Sequence, residues 1–243
     1  MPTPIRQFEI GNIYHVFNRG IEKRKIFQKQ QDYERFVLGL YFFNDKKPSM
    51  NVWENLHFNK RETKAIISST IVPPGGTIVE DERSRVVDFL SFALMPNHFH
   101  FILREIRQGG ITLFMQKMGG YSQYFNKQYD RVGPLFQGRY KAVRIKDDEH
   151  LINIFSYVHT NPVELHEPEW KDFKVKDKRN ATYRLENYRW SSYLDYIGQK
   201  NFPYVTQRIF FDELLNGPKG CQQVVEDWIS FKAENFKPND FSL

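Results

Sequence analysis

Two hydrophobic periods alternate along this chain of 243 residues and divide it into elements. Residues 11–18, Gly-Asn-Ile-Tyr-His-Val-Phe-Asn, alternate and predict a first strand closed by Arg19-Gly20. From Gln31, apolar Tyr33, Phe36, Val37, Leu40 and Tyr41 fall at helical spacing, predicting a helix that ends near residues 44–48. Residues 86–94 and 99–103 are rich in β-branched and aromatic side chains with Pro96-Asn97 between them, so they read as two adjacent strands. After Gly109-Gly110, the positions Phe114, Met118, Tyr121 and Phe125 predict a second helix with Gly119-Gly120 inside it. Two interior glycines cost on the order of 1 kcal/mol each relative to alanine, so close packing or function should justify them. Gly133-Pro134 then turns the chain into a fourth strand over 135–145, and Leu151, Ile154, Phe155 and Val158 mark a third helix over 147–160. This order predicts an α+β fold, a ferredoxin-like antiparallel sheet with helices packed on it.

The remaining segments are less periodic. Residues 46–84 contain Pro73-Pro74-Gly75-Gly76 and read as an insertion between the first helix and the second strand. Beyond Pro162 the chain is polar and basic to Arg189, then offers Trp190-Ser-Ser-Tyr-Leu-Asp-Tyr196 and a helical stretch over 221–231. We expect a core over 1–165 and a helical C-terminal extension over 166–243 that packs on it or folds over its nucleic-acid face.

Composition narrows the class. Hydrophobic residues make up 40% and aromatics 16%, enough for a packed core, and no apolar run reaches the roughly 18 residues that span a bilayer. The start lacks a signal-peptide pattern, which points to the cytoplasm. One cysteine, Cys221, excludes an internal disulfide and a multi-cysteine zinc site, and reads as structural. Net charge is +6, and residues 104–146 hold nine basic side chains against two acidic ones, so the excess positive charge lies there. Tyr121, Tyr124, Phe125, Tyr129, Phe136 and Tyr140 are interleaved with it. Cations neutralise phosphates and aromatics stack on unpaired bases, so this mixture suits nucleic acid as well as a plain solvated face. No P-loop or dinucleotide fingerprint is present.

The chemistry centres on Met95-Pro-Asn-His-Phe-His-Phe-Ile-Leu103. On a strand, His98 and His100 share a face, where two imidazoles either chelate a divalent cation or form a satisfied half-buried pair. On the third helix, Tyr157 and Asn161 lie about 40° apart at i, i+4, whereas His159 falls on the other flank. Pro162 disfavours helical backbone at Asn161, which puts Asn161 at the helix end, as a cap, a ligand or both. His15 and His159 are further possible ligands, and Tyr121 and Tyr124 are rival tyrosines without an amide at the matching position.

Those residues carry a family resemblance. Met95-Pro-Asn-His-Phe-His-Phe-Ile-Leu103, Gly138-Arg-Tyr-Lys141, Tyr157-Val-His-Thr-Asn-Pro162, Trp190-Ser-Ser-Tyr193 and the opening Tyr14-His-Val-Phe-Asn-Arg-Gly20 resemble the motif series of bacterial insertion-sequence transposases of the HUH type. Within them the chain is most similar to the REP-associated tyrosine transposases, over about residues 11–196. The resemblance implies a metal-assisted transposase that nicks and rejoins single-stranded, hairpin-containing DNA through a 5′-phosphotyrosine. Tyr157 would be the nucleophile, and His98, His100 and Asn161 would hold magnesium or manganese. Arg19, Lys117, Lys127, Arg131, Arg139, Lys141 and Arg144 are the candidate DNA contacts. The longer insertion at 46–84 departs from the family. The alternatives are a domesticated, non-catalytic nucleic-acid-binding protein on the same scaffold and a metal-dependent nuclease that uses water. Monomer and homodimer both remain open, and neither a membrane nor a protein partner is implied.

Overall fold

The computed structural model describes residues 7–48, 83–167, 169–170, 175 and 177–234, with side chains to 231. Most of the expected insertion, and stretches of the expected C-terminal extension, lie outside the described residues. The elements are β1 (Ile13–Arg19), α1 (Gln30–Phe42), β2 (Val87–Met95), β3 (His98–Glu105), α2 (Gly110–Met118), α3 (Gly120–Gln128), β4 (Lys141–Arg144) and α4 (Asp148–Thr160). They are followed by α5 (Lys178–Leu185), α6 (Tyr193–Tyr196), α7 (Ile209–Leu214) and α8 (Pro218–Glu234). The strands form one antiparallel sheet in the order β2-β3-β1-β4, the ferredoxin-like order, and the chain is α+β.

Strand alternation sorts side chains into two layers. Val16, Phe89, Phe92, Phe99, Phe101 and Leu103 join Phe36 and Leu40 of α1, Phe114 and Met118 of α2 and Phe125 of α3 in one core. Burial of each such side chain contributes about 1.5–3 kcal/mol. Leu90, Ala93 and Ile102 face the opposite way and pack with Leu151, Ile154, Phe155 and Val158 of α4, with Tyr193 and Tyr196 of α6, and with Cys221 and Val225 of α8. A register shift between Phe89 and Ser91 is a β-bulge that places Leu90 and Ser91 on this second face. The first helices and α4 therefore cover opposite faces of the sheet.

The outer edge of β2 is closed by the C-terminal part of the chain. Leu94 N donates to Trp190 O at 2.8 Å and Ser192 N to Phe92 O at 3.0 Å, so residues 190–192 pair where a bare edge would leave unpaired backbone groups.

Three expectations change. The single helix expected around Gly119-Gly120 is two helices that meet at Gly119, whose N–H is shared between Met115 O and Gln116 O at 3.1 Å each. The fourth strand is only four residues long, because Gly138 adopts φ 126° and breaks the extended backbone that residues 135–145 were expected to keep. Asn161 has helical φ −49° and ψ −40° despite the following proline, and the chain runs on into a 3-10 turn over Asn161–Leu165. Burial of Pro162 and Val163 against the α4 layer outweighs the local preference.

Glu105 at the end of β3 is fully buried and accepts from Gly110 N at 2.9 Å and Ile111 N at 2.7 Å. A carboxylate there satisfies two orphan donors at the start of α2. Glu105→Ala should lower stability by about 3 kcal/mol in urea melts, and a loss under about 1 kcal/mol would show that water replaces the carboxylate.

Candidate active site

The register of β1 against β3 builds the site. Arg19 pairs with His98, Phe17 with His100 and His15 with Ile102, so all six share the α4 face. On β4, Lys141 pairs with Phe17 and projects to the same face, its Nζ 6.0 Å from the Phe17 ring centre. Helix α4 begins at the cap Asp147, whose side chain accepts from His150 N at 2.8 Å, and its buried face sets the helix against the sheet. Tyr157, near its C-terminal end, thereby comes to 5.3 Å from His100 and 5.9 Å from His15 between ring centres, edge-on to both.

The polar atoms are ordered. His98 Nδ1 lies 2.6 Å from Asn97 Oδ1, and the Asn97 amide nitrogen donates to Lys23 O at 3.3 Å, which fixes the amide orientation. A neutral His98 then carries its proton on Nδ1 and turns the Nε2 lone pair toward Asn161 Oδ1, 3.4 Å away. Asn161 Nδ2 is held at 2.8 Å by the Tyr157 carbonyl, the C-terminal cap expected from the sequence, so Asn161 presents oxygen and not nitrogen to His98. With the proton on Nδ1 the two lone pairs could share one cation, whereas the other tautomer donates from Nε2 to Asn161 Oδ1. The His98 and His100 rings are 5.0 Å apart and perpendicular. His15 Nε2 is 2.9 Å from His100 Nδ1. No group of three His, Cys, Asp or Glu placed to hold a metal exists among the described residues. The candidate set is instead two imidazoles and one amide oxygen, donors that suit a divalent cation with open positions.

Burial dominates the titration here. It pushes the Tyr157 phenol above its ordinary range; a hydrogen bond with the Asn161 side chain and the Arg19 charge pull it down, and Glu164 pushes it up. Burial, aided by His150, lowers His15 to about 3, so that ring is neutral at ordinary pH. Arg19 Nε is buried with no hydrogen-bond partner among the described residues.

The other sequence candidates separate. His159 is fully buried on the other flank of α4, over β2, with Nε2 2.8 Å from Ser192 Oγ and 3.1 Å from Ser91 Oγ, and it stands apart from the histidine pair. Tyr121 and Tyr124 belong to the opposite layer, donating to Ile26 O at 2.6 Å and to Asp32 Oδ1 at 3.1 Å. Lys117 donates to the carbonyls of Asp45 and Lys47, beyond the C-terminal end of α1. Arg144 turns to the other face, 3.2 Å from Asn12 Oδ1 and 3.6 Å from Glu9. Arg139 and Lys127 are exposed, and Arg131 lies beside Phe125 in the first layer. Of the seven cations, strand register puts Arg19 and Lys141 on the face of the histidines. The sequence offered Asn97 as a turn residue and His15 as a further possible ligand; the contacts at 2.6 and 2.9 Å set each of them against one histidine of the pair.

A histidine pair on one strand and a tyrosine helix thus share one face of the ferredoxin-like sheet. Residues 75–161, which include both histidines, Tyr157 and Asn161, match the family model of IS200-like transposases. Among solved structures the chain is similar to a REP-associated tyrosine transposase bound to a REP hairpin, at 12% identity and a TM-score of 0.47 over 84% of this chain and 90% of that one. Comparison with curated proteins finds no match. Among the described residues no helix is long and apolar enough to cross a membrane.

His159 yields a pH prediction. Burial depresses it from 6.5 to about 3, so below pH 6.5 the unfolded chain takes up a proton that the folded one refuses. Its contribution is complete above pH 6.5 and is lost as pH falls toward 3, at up to about 1.4 kcal/mol per pH unit. In urea melts between about pH 6 and pH 4, His159→Gln should flatten the slope of stability on pH by about one proton.

Proposed function

We propose that this protein is a metal-assisted DNA transposase that cuts and rejoins single-stranded, hairpin-bearing DNA with Tyr157 as nucleophile. The observation that carries the reading is the convergence on one sheet face of the lone pairs of His98 and Asn161 with the Tyr157 ring packed edge-on to His100. A pure binder has no use for such a constellation, and a water-dependent nuclease would not need the tyrosine.

Each residue then has a task. His98, His100 and Asn161 would hold a divalent cation, magnesium or manganese, which when bound would supply Lewis acidity toward a phosphate oxygen. Tyr157 Oη attacks phosphorus, the bond from phosphorus to O3′ breaks, and the phenolic proton ends on O3′, leaving a 3′-hydroxyl on one fragment and a 5′-phosphotyrosine on the other. The reverse attack by a 3′-hydroxyl rejoins DNA without an outside energy source. Because burial keeps the phenol protonated, the proton must leave as the oxygen attacks, and the Arg19 guanidinium beside it lowers the cost of the charge that develops. Lys141 lies along the same face, where the DNA backbone would run. Asn97 and His15 act one layer back, holding the Nδ1 atoms of His98 and His100 so that both Nε2 atoms are available to a metal.

Incubating the protein with 5′- and 3′-labelled hairpin oligonucleotides and manganese should give a chelator-sensitive covalent band on the 5′ end of the downstream fragment, absent in Tyr157→Phe. Cleavage that survives in Tyr157→Phe would assign a water nucleophile or another tyrosine, and binding without cleavage across many hairpins would favour a domesticated binder. Separately, manganese titrations followed by electron paramagnetic resonance should show about 10- to 100-fold weaker binding in Asn97→Ala and in His15→Phe, with folding preserved. Unchanged affinity in both would remove Asn97 and His15 from the support of the site.

A further inference from the structure

At the end of the sheet where His98 lies, the chain leaving β1 forms a strap over residues 20–28 that is pinned to the turn between β2 and β3. Gly20 N donates to Asn97 O at 2.8 Å, Ile26 N and Phe27 N donate to Pro96 O at 2.7 and 3.2 Å, and Ile26 O accepts from Tyr121 Oη at 2.6 Å. Gly20 is required by close approach, since a Cβ there would stand 2.2 Å from Arg24 O. Glu22 and Lys23 both take left-handed backbone, with φ 55° and 58°, an arrangement that costs energy for side-chain-bearing residues and is retained by the surrounding bonds. The opposite wall is the turn after α3, stitched to the strap by Ile21 N to Leu135 O at 3.0 Å and Gln137 N to Arg19 O at 2.9 Å. Arg131 is set in that wall by Asn126, which accepts from its Nη1 at 2.9 Å and itself donates to Gly133 O at 2.7 Å.

Between the two walls lies an open cavity of about 290 Å³ lined by Arg24, Lys25, Gln28, Phe125 and Arg131. Three cations and one amide meet there on a prebuilt frame, and the lining contains no carboxylate. Like charges held together in excess of their counter-charge repel, which is tolerable where an anion completes the site. Glu22 reaches Arg24 from the rim at 2.9 Å, but its side chain is 77% exposed and can swing aside. The cleft lies on the α1–α3 layer, across the sheet end from Tyr157, and Arg19 of the histidine face leads directly into the strap.

We propose that this cleft is a phosphodiester-binding subsite for the single-stranded flank of the DNA. Resting on the transposase reading above, it takes the strand that leaves the histidine face and wraps the end of the sheet. Arg24, Lys25 and Arg131 neutralise backbone phosphates, and Gln28 donates to a phosphate oxygen or to the sugar. The strap is one covalent segment with β1 and hydrogen-bonds Asn97, so the strand engaged in the cleft is aligned with the candidate metal ligands.

The test is fluorescence anisotropy of a labelled hairpin oligonucleotide with single-stranded flanks, measured from about 50 to 300 mM NaCl. The proteins are wild type, Arg24→Ala/Lys25→Ala, Glu22→Gln, and the control Lys200→Ala/Lys219→Ala, which removes two exposed cations elsewhere. We expect Arg24→Ala/Lys25→Ala to bind about 10-fold more weakly at 100 mM salt and to reduce the slope of log affinity on log salt by about 1.4, two phosphates at about 0.7 each for a single strand. Glu22→Gln should bind about 2-fold or more tightly, a gain that misfolding cannot produce, and the control should move the slope by less than half as much. A slope change in the cleft variant below about 0.7, or no larger than that of the control, overturns the subsite. Wild type that binds no oligonucleotide at any salt sinks the transposase reading itself and the subsite with it.

Discussion

The antiparallel register between β1 and β3 is the constraint on which the rest of the molecule depends. Side chains alternate along a strand, so pairing Arg19 with His98 and Phe17 with His100 puts three polar groups and their aromatic neighbour on one face. A slip of one residue would turn Val16 and Asn18 to that face and send His15 and Arg19 into the phenylalanine core, where a guanidinium has no partner. The apolar layer formed by Val16, Phe99 and Phe101 therefore enforces the polar geometry opposite it. Stability and site geometry are two sides of one alternation.

The second constraint is the mounting of α4. Its apolar residues press on Leu90, Ala93 and Ile102, and the remaining polar contact on that side is closed by His159 against Ser91 and Ser192. Ser192 belongs to the segment that also pairs with the edge of β2, and Ser156 Oγ donates to Val224 O of α8 at 3.2 Å. The C-terminal helices thus grip α4 from outside while the sheet grips it from inside. Tyr157 sits on the rim between these two contacts, half-buried, so its height above His100 is set by packing on both sides of the helix. Such a mounting restrains the tyrosine more tightly than a helix attached only by its N-terminal end.

Much of this was legible in the sequence because it follows from periodicity. The strand alternation around His98 and His100, the apolar face of α4 and the i, i+4 relation of Tyr157 to Asn161 are local properties, and the structure has each of them. What the sequence hid depends on distant partners. Nothing near His15 tells that its Nε2 meets His100 across 85 residues, and nothing near Lys117 tells that its ammonium is occupied by the carbonyls of Asp45 and Lys47. Charge counting placed the excess cations in one segment of sequence, yet alternation on β4 splits Lys141 from Arg144 and the turn after α3 carries Arg131 to the opposite layer. The strand over 135–145 and the straight helix through Gly119 were overestimated for a simpler reason. At Gly138 a positive φ redirects the backbone, and at Gly119, whose dihedrals stay helical, the hydrogen-bond ladder is interrupted, while the apolar pattern continues past both.

Asn161 ties these levels together. A residue before proline ordinarily leaves helical geometry, and an asparagine at a helix end ordinarily spends its amide on a carbonyl. Here packing of Pro162 and Val163 keeps Asn161 helical, and its amide nitrogen takes the Tyr157 carbonyl. That one hydrogen bond fixes the helix end and turns Oδ1 toward His98. The same side chain also hydrogen-bonds the Tyr157 phenol and lowers its proton affinity against the stronger effect of burial. A cap, an oxygen turned to His98 and a contact that eases ionisation of the phenol are thus combined in one amide, and the three cannot be varied independently. Aspartate at this position would keep an oxygen toward His98 but would face the Tyr157 carbonyl with a second acceptor, and it would raise the phenol further by its charge. Of the residue types that can cap a helix end, a neutral amide alone brings a donor to the carbonyl and an acceptor to the histidine at once.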